Sequence, residues 1–141
     1  MIVNIVKDEI EQFVATIGAK EPASNAEVYE KWKTLFKQPN YFVFNEKFMI
    51  VKISRSKKPF WGVGKVFIDL FNSLDDYYLV LLISSESGWV FTKREVNANI
   101  QNKRWNLETK GRDYKINYPL PDRNSFSSKK SFFKILGLEG N

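Results

Sequence analysis

The chain has 141 residues, of which 43% are hydrophobic and 16% aromatic, and its formal net charge at pH 7 is +6. This length predicts one domain, residues 1–141, that is large enough to bury a core. Cysteine and histidine do not occur in the sequence. Their absence excludes disulfides, zinc sites of Cys/His type and nucleophiles activated by histidine, so any metal must be a hard cation such as Mg²⁺.

The charge is unevenly distributed along the chain. Residues 1–40 carry five Lys/Arg and six Asp/Glu, whereas residues 41–141 carry seventeen and ten. A basic body suits binding to a phosphate backbone, although ordinary solvated charge produces the same composition. The sequence contains no signal peptide and no apolar run of about 18 residues, which predicts a cytoplasmic protein with no membrane partner.

The first predicted elements are two helices. Residues 2–17 place apolar side chains at helical spacing, so the N-terminal segment, residues 1–20, is predicted to be an amphipathic helix that ends at Gly18. The body of the domain is predicted to span residues 24–141. Ser24 and Glu27 form a capping-box pattern at its start, which predicts a second helix that continues to about Phe36.

The most informative stretch runs from residue 41 to residue 83. Tyr41–Phe44 and Phe48–Ile53 are predicted strands joined by a tight turn. A basic loop follows at residues 54–58, and the apolar spacing after Pro59 predicts a helix that begins there. Tyr77–Ile83 is apolar without alternation, which is typical of a strand that helices cover on both faces.

The remaining elements complete the predicted fold. Trp89–Phe91 is a predicted strand, and Thr92 with Glu95 forms a capping box that begins a short helix. Alternating residues around 110–113 predict a β-hairpin, and a last helix is predicted from about Ser128 to Gly137. Together these elements predict an α/β (α+β) fold, in which helices flank a central mixed sheet and a C-terminal β-hairpin follows.

Two basic groups are candidates for contact with nucleic acid. The first is the loop after Ile53, and the second follows the central strand. Lysines, arginines and a hydroxyl beside a predicted helix start suit phosphate contact, and an exposed tryptophan suits base stacking. Solvated charge and a buried tryptophan are the alternatives. The predicted nucleic-acid contacts are Arg55, Ser56, Lys57, Lys58, Trp61, Lys65, Lys93, Arg94, Lys103, Arg104, Lys110, Arg112 and Lys115.

The order of elements over about residues 25–92 resembles the restriction-endonuclease-like fold of the PD-(D/E)xK nucleases. The segment Val51-Lys52-Ile53-Ser54-Arg55 resembles the strand that carries the lysine of that family. The resemblance implies that Lys52 helps to orient or activate the attacking water. It also implies that Glu30 is the additional carboxylate that some members place on a helix, with Glu46 as the carboxylate of the preceding turn.

The sequence departs from the family pattern at the position of a metal ligand. Ile50 lies two residues before Lys52, where the family has an acidic residue, and the preceding turn offers Glu46 but no aspartate. Because cleavage with Mg²⁺ needs clustered carboxylates, the metal ligands stay unknown and an inactive or altered member is favoured. Two competing acid-x-Lys patterns flank a hairpin turn, Asp113 with Lys115 and Glu108 with Lys110.

Three functions follow from these observations. The first is a DNA-associated protein, part of a restriction or genome-defence system, that binds duplex DNA through its basic face. The second is a metal-dependent endonuclease that uses Mg²⁺ in an unconventional site. The third is a protein-interaction module, either a homodimer or a subunit of a larger assembly, whose N-terminal helix docks on a partner.

Overall fold

A computed structural model describes residues 5–22, 30 and 41–138 of the chain. The helices in these ranges are α1 (Ile5–Ile17), α2 (Lys65–Phe71), α3 (Lys93–Gln101) and α4 (Lys129–Ile135), with one turn of 3₁₀ helix at Asp122–Asn124. The strands are β1 (Tyr41–Phe44), β2 (Lys47–Ile53), β3 (Phe60–Gly64), β4 (Tyr77–Leu82), β5 (Gly88–Thr92), β6 (Asn106–Leu107), β7 (Asp113–Asn117) and β8 (Ser125–Phe126).

The larger of the two sheets contains five strands in the order β1-β2-β4-β5-β8. Strands β2 and β4 pair in parallel, and the other neighbours pair antiparallel. Asn45 and Glu46 join β1 to β2 with φ values of 53° and 63°, which is the conformation that a two-residue hairpin turn requires. The predicted mixed sheet and its first hairpin are confirmed.

Both faces of this sheet are covered. Alternate residues of β4 belong to two separate cores, and all six residues of the strand are buried. Residues of α1 and α4 pack on one face, while α2, α3 and the smaller sheet pack on the other. The prediction that the strand is covered on both sides is confirmed for Tyr77–Leu82, because a strand without alternation has no face to present to water, whereas Ile83 lies past its end and is exposed.

Helix α1 confirms the first predicted helix over Ile5–Ile17, while the predicted residues before Ile5 lie outside the described residues. Ile10, Phe13, Val14 and Ile17 are buried against the sheet, and Gly18 follows with a φ of 82°. Among the described residues, no helix combines the length and the hydrophobicity that a membrane crossing needs. Apart from Glu30, which is helical, the predicted helix from Ser24 to Phe36 lies outside the described residues.

The prediction of a helix that begins at Pro59 is wrong. Residues 60–64 form β3, and helix α2 begins only at Lys65. Trp61 and Val63 are buried while Phe60 and Gly62 are exposed, which is the alternation of a strand. Two glycines within five residues disfavour a helix at 60–64, and the helical spacing in the sequence belongs to α2, which begins after them.

The smaller sheet has the order β3-β7-β6 and is antiparallel throughout. Strands β6 and β7 are the predicted hairpin, in a shorter form than the sequence indicates. The capping box of Thr92 and Glu95 at the start of α3 is confirmed. The predicted last helix is α4, with Ser128 as its N-cap and Gly137 after its end.

Candidate nucleic-acid interface

One face of the smaller sheet is exposed. Trp61 on β3 and Ile116 on β7 point into the core, so their neighbours along each strand point outward. The outward positions include Phe60, Gly62 and Lys115. The strand register places Lys115 opposite Gly62, which has no side chain of its own.

The basic loop, residues 54–58, lies at one end of this sheet. The backbone amide of Tyr118 donates to the carbonyl of Pro59 at 3.1 Å, which joins the loop to the end of β7. Ser56, Lys57 and Lys58 are exposed. Arg55 forms an ion pair with Glu9 of α1, and half of its side chain remains exposed at 51%.

The opposite end of the sheet is also basic. The backbone amide of Lys65 donates to the carbonyl of Arg112 at 2.8 Å, so the hairpin turn lies beside the first residue of α2. Lys110 and Arg112 are exposed in this turn. The side chain of Lys65 forms an ion pair with Asp69 at 2.7 Å, so its charge is partly neutralised.

Lys103 and Arg104 lead into β6, the outer strand of the same sheet. Asn106 pairs with Lys115 in the register and donates from Nδ2 to the carbonyl of Lys103 at 2.8 Å. The five residues of β3 extend over about 13 Å. We call the exposed cations of this sheet and its loops the basic strip, which consists of Lys57, Lys58, Lys103, Arg104, Lys110, Arg112 and Lys115.

Six of the thirteen predicted contacts are not part of the basic strip. They are Arg55, Ser56 and Lys65, which lie at its two ends, and Trp61, Lys93 and Arg94. Lys93 donates from Nζ to the carbonyls of Asn72 at 3.1 Å and Leu74 at 2.6 Å, so it holds the end of α2. Arg94 lines a separate groove of about 750 Å³ together with Arg123. Base stacking by Trp61 is excluded in this arrangement. Its side chain is only 2% exposed, and its Nε1 donates to the carbonyl of Leu82 at 3.0 Å.

The three predicted catalytic residues are not gathered into one site. Glu46 lies in the turn before β2, whereas Lys52 lies near the far end of that strand, about 20 Å away at the rise of an extended chain. Glu30 is exposed on a helical segment. Within the ranges that the structure covers, no three Asp or Glu residues are close enough to bind one metal ion. Catalysis by Lys52 with Mg²⁺ stays a prediction.

Lys52 instead lies in a partly buried position on the face of the sheet that α2 covers. Its Nζ lies 5.0 Å from the centroid of the Phe67 ring. Burial lowers the pKa of the Lys52 ammonium below its ordinary range, and the nearby negative charge of Asp113 opposes part of this change. Asp113 is the acid of one competing acid-x-Lys pattern, and it is a single carboxylate rather than a cluster.

Comparison of the chain with family models, curated proteins and solved structures gives no match. The resemblance to the PD-(D/E)xK nucleases therefore stays a prediction from the sequence.

Four residues around Lys52 and the basic strip were not predicted to contact nucleic acid, although Asp113 belongs to a competing acid-x-Lys pattern. Phe60 and Tyr118 are aromatic side chains with exposures of 53% and 47%. Asp113 pairs with Gly64, and its side chain leans toward Gly62, because a Cβ built on Gly62 would lie 3.6 Å from Asp113 Oδ2. The available signal was the period-two alternation of residues 60–64, which the helix prediction passed over.

Proposed function

We propose that this protein binds nucleic acid, with the basic strip contacting the phosphate backbone. The observation that carries the proposal is the strand register, which aligns cations at both ends of one exposed sheet and Lys115 between them. A span of about 13 Å corresponds to roughly four base pairs at a rise of about 3.4 Å. A strip of this length suits several consecutive phosphates.

The cations of the basic strip are available for a ligand. Across the described ranges, none of the seven side chains takes part in an ion pair or donates a hydrogen bond. Arg55 and Lys65, at the two ends, each have an acidic partner. Two acids, Glu108 and Asp113, lie in the same hairpin, so the strip keeps an excess of five positive charges. Such an excess attracts polyanions by releasing their counterions.

The expected ligand is duplex DNA. Readout of base sequence is not part of the proposal, since phosphate contacts position a protein without specifying bases. A role in restriction or genome defence is a further proposal, and only the sequence resemblance to the PD-(D/E)xK nucleases supports it. The alternative of a docking module based on α1 is less favoured, because the apolar residues Ile10, Phe13, Val14 and Ile17 are already buried within this chain.

Fluorescence anisotropy with labelled duplex and single strands at several salt concentrations tests the proposal. We expect the Lys110→Ala/Arg112→Ala/Lys115→Ala variant to bind duplex DNA at least about tenfold more weakly than the wild type. The slope of log affinity against log salt should become shallower by about two to three. A variant with the same loss of charge, Lys20→Ala/Lys130→Ala/Lys134→Ala, alters exposed lysines outside the basic strip and is the control.

Two results would overturn the proposal. One is the absence of binding by the wild type at low salt to both duplex and single strands. The other is an equal loss of affinity in the two triple variants, which would show that total charge rather than the basic strip determines binding. Cleavage that requires Mg²⁺ and is lost in Lys52→Ala would support the endonuclease prediction instead.

A further inference from the structure

A small pocket opens beside the end of β2, where the basic loop meets β3. Its volume is about 330 Å³. The residues that matter for its chemistry are Lys52, Ser54, Arg55, Ser56, Phe60 and Gly62. The pocket therefore adjoins the end of the basic strip that carries Lys57 and Lys58, and the exposed ring of Phe60 forms part of its wall.

Lys52 brings a charge with no direct partner into this pocket. Its ammonium lies over the Phe67 ring, and no residue within the described ranges accepts a hydrogen bond from it or forms an ion pair with it. An ammonium has three N–H donors, and the partly desolvated ammonium of Lys52 meets water on the side of the pocket, without a protein acceptor among the described residues. The position therefore favours an anionic oxygen from a ligand.

The backbone of Gly62 adds donor capacity on the same side. The hydrogen bonds from Tyr118 N to Pro59 O and from Lys65 N to Arg112 O show that residues 59 and 65 point their backbone groups toward β7. Because these groups alternate along an antiparallel pair, the amide of Gly62 points away from β7, to the edge of β3 that pairs with no other strand of the described ranges. The amide of Phe60 follows the same pattern and donates to Ser54 Oγ at 3.3 Å.

Two side chains of the loop complete the set of donors. Ser54 Oγ accepts from the backbone amides of Ser56 and Phe60, at 3.4 Å and 3.3 Å, which leaves its own hydroxyl hydrogen to donate. Arg55 uses one nitrogen toward Glu9 and keeps further N–H groups at the rim. These donors come from β2, the loop and β3, so they approach the pocket from several directions, as the oxygens of a tetrahedral anion require.

We infer that this pocket binds one phosphate group of a nucleic acid, held by the Lys52 ammonium, the Gly62 amide and the Ser54 hydroxyl. The inference deepens the proposed function and rests on it, since the basic strip would hold the rest of the strand. Two sources supply the same chemistry, a terminal phosphate and an internal phosphate of the backbone. The Asp113 carboxylate also acts on Lys52, and its negative charge opposes the approach of an anion.

The test compares phosphate-bearing ligands on three proteins. The ligands are inorganic phosphate and one oligonucleotide sequence carrying a 5′-phosphate, a 3′-phosphate or no terminal phosphate, measured by calorimetry and anisotropy. The proteins are the wild type, Lys52→Met and Lys130→Met. Methionine matches the apolar surroundings of Lys52, and Lys130 is an exposed lysine on α4 whose loss changes the net charge equally.

We expect Lys52→Met to weaken binding of phosphate-bearing ligands by about tenfold, while Lys130→Met changes it less than about twofold. If the pocket binds a terminal phosphate, the loss of affinity should be confined to inorganic phosphate and to the oligonucleotide with its phosphate at one of the two ends. An internal source predicts the same loss for all three oligonucleotides. If Lys52→Met does not fold, NMR of the wild type replaces it: the Lys52 ε-methylene signal is followed as inorganic phosphate is added. A signal that does not shift overturns the inference.

The inference and the proposed function fail in different ways. Equal affinities of Lys52→Met and Lys130→Met for every ligand would overturn the phosphate pocket, even if the basic strip still binds DNA. Conversely, inorganic phosphate could shift the NMR signal of Lys52 in a protein that binds no oligonucleotide. That result would support a phosphate site and refute the nucleic-acid function.

Discussion

The ammonium of Lys52 lies over the aromatic ring of Phe67, with its nitrogen 5.0 Å from the ring centroid. A cation–π contact stabilises a partly desolvated ammonium only in part, because it replaces none of the hydrogen bonds that water made. The Asp113 carboxylate acts on Lys52 through its charge alone. In the absence of a ligand, Lys52 is therefore a residue that lowers the stability of the fold.

Replacing Lys52 by methionine should stabilise the protein at neutral pH. Removing a partly desolvated charge should recover on the order of 1 kcal/mol of unfolding free energy, and the methionine side chain packs against the Phe67 ring. Urea denaturation measures the change. Lys47→Met on the same strand is the control, because Lys47 lies 3.7 Å from Asp76 and its removal should not stabilise. A less stable Lys52→Met variant would contradict the prediction.

The stability difference between these proteins should depend on pH. Burial lowers the pKa of Lys52 in the folded state, whereas the unfolded chain keeps a value of about 10.4. Between the two values the unfolded state binds more protons, so the stability of the wild type rises with pH across that window. The advantage of Lys52→Met should therefore be largest below the folded pKa and shrink as the pH approaches about 10.4. Urea denaturation at a series of pH values follows the difference, and an advantage that stays constant with pH would contradict the prediction.

Phe60 offers a test of whether bases stack beside the basic strip. Phe60→Ala removes an exposed ring, so we expect single-strand affinity to fall by about tenfold while duplex affinity changes little, because duplex bases are already stacked. Val66→Ala is a matched control, since Val66 is also about half exposed, at 50%, but lies on α2. Anisotropy with both ligands measures the effects. Equal losses in the two variants would show that Phe60 has no specific role.

The sequence predicts the elements whose residues follow one clear period, and it fails where two periods overlap. Helix α1 and strand β4 were predictable, because helical spacing and continuous burial each indicate one structure. Strand β3 was not, since Val63 and Phe67 also fit a helix that begins at Pro59. The surroundings of Lys52 were not predictable either. Its neighbours Phe67 and Asp113 come from elements that only the folded chain brings together.

The glycines of the two sheets should differ sharply in their tolerance of a methyl group. A Cβ on Gly88 would lie 2.2 Å from the carbonyl oxygen of Leu81, a backbone atom that cannot move aside. Gly88→Ala should therefore destabilise the fold by about 3 kcal/mol. A Cβ on Gly62 would meet Asp113 at an ordinary 3.6 Å, so Gly62→Ala should change stability by less than about 0.5 kcal/mol. Chemical denaturation of both variants checks this, and similar losses would refute the strand assignment of residues 60–64.

Asn124 is the buried polar residue that connects the larger sheet to helix α3. Its side chain is 3% exposed, and Nδ2 donates to the carbonyl of Val90 at 2.9 Å and to Glu95 Oε2 at 3.0 Å. Glu95 also accepts from the Thr92 amide in the capping box, so one amide group supports both the strand and the helix start.

Asn124→Ala should lower the unfolding free energy by about 1–3 kcal/mol, because the Val90 carbonyl and the Glu95 carboxylate each lose a donor in a region with little water. Asn106→Ala is the control. Asn106 is exposed and donates to the Lys103 carbonyl at 2.8 Å, so water can replace its amide. Thermal and urea denaturation of the two variants compare the losses. If Asn124→Ala were no more destabilising than Asn106→Ala, the amide of Asn124 would not be what holds the start of α3 against β5.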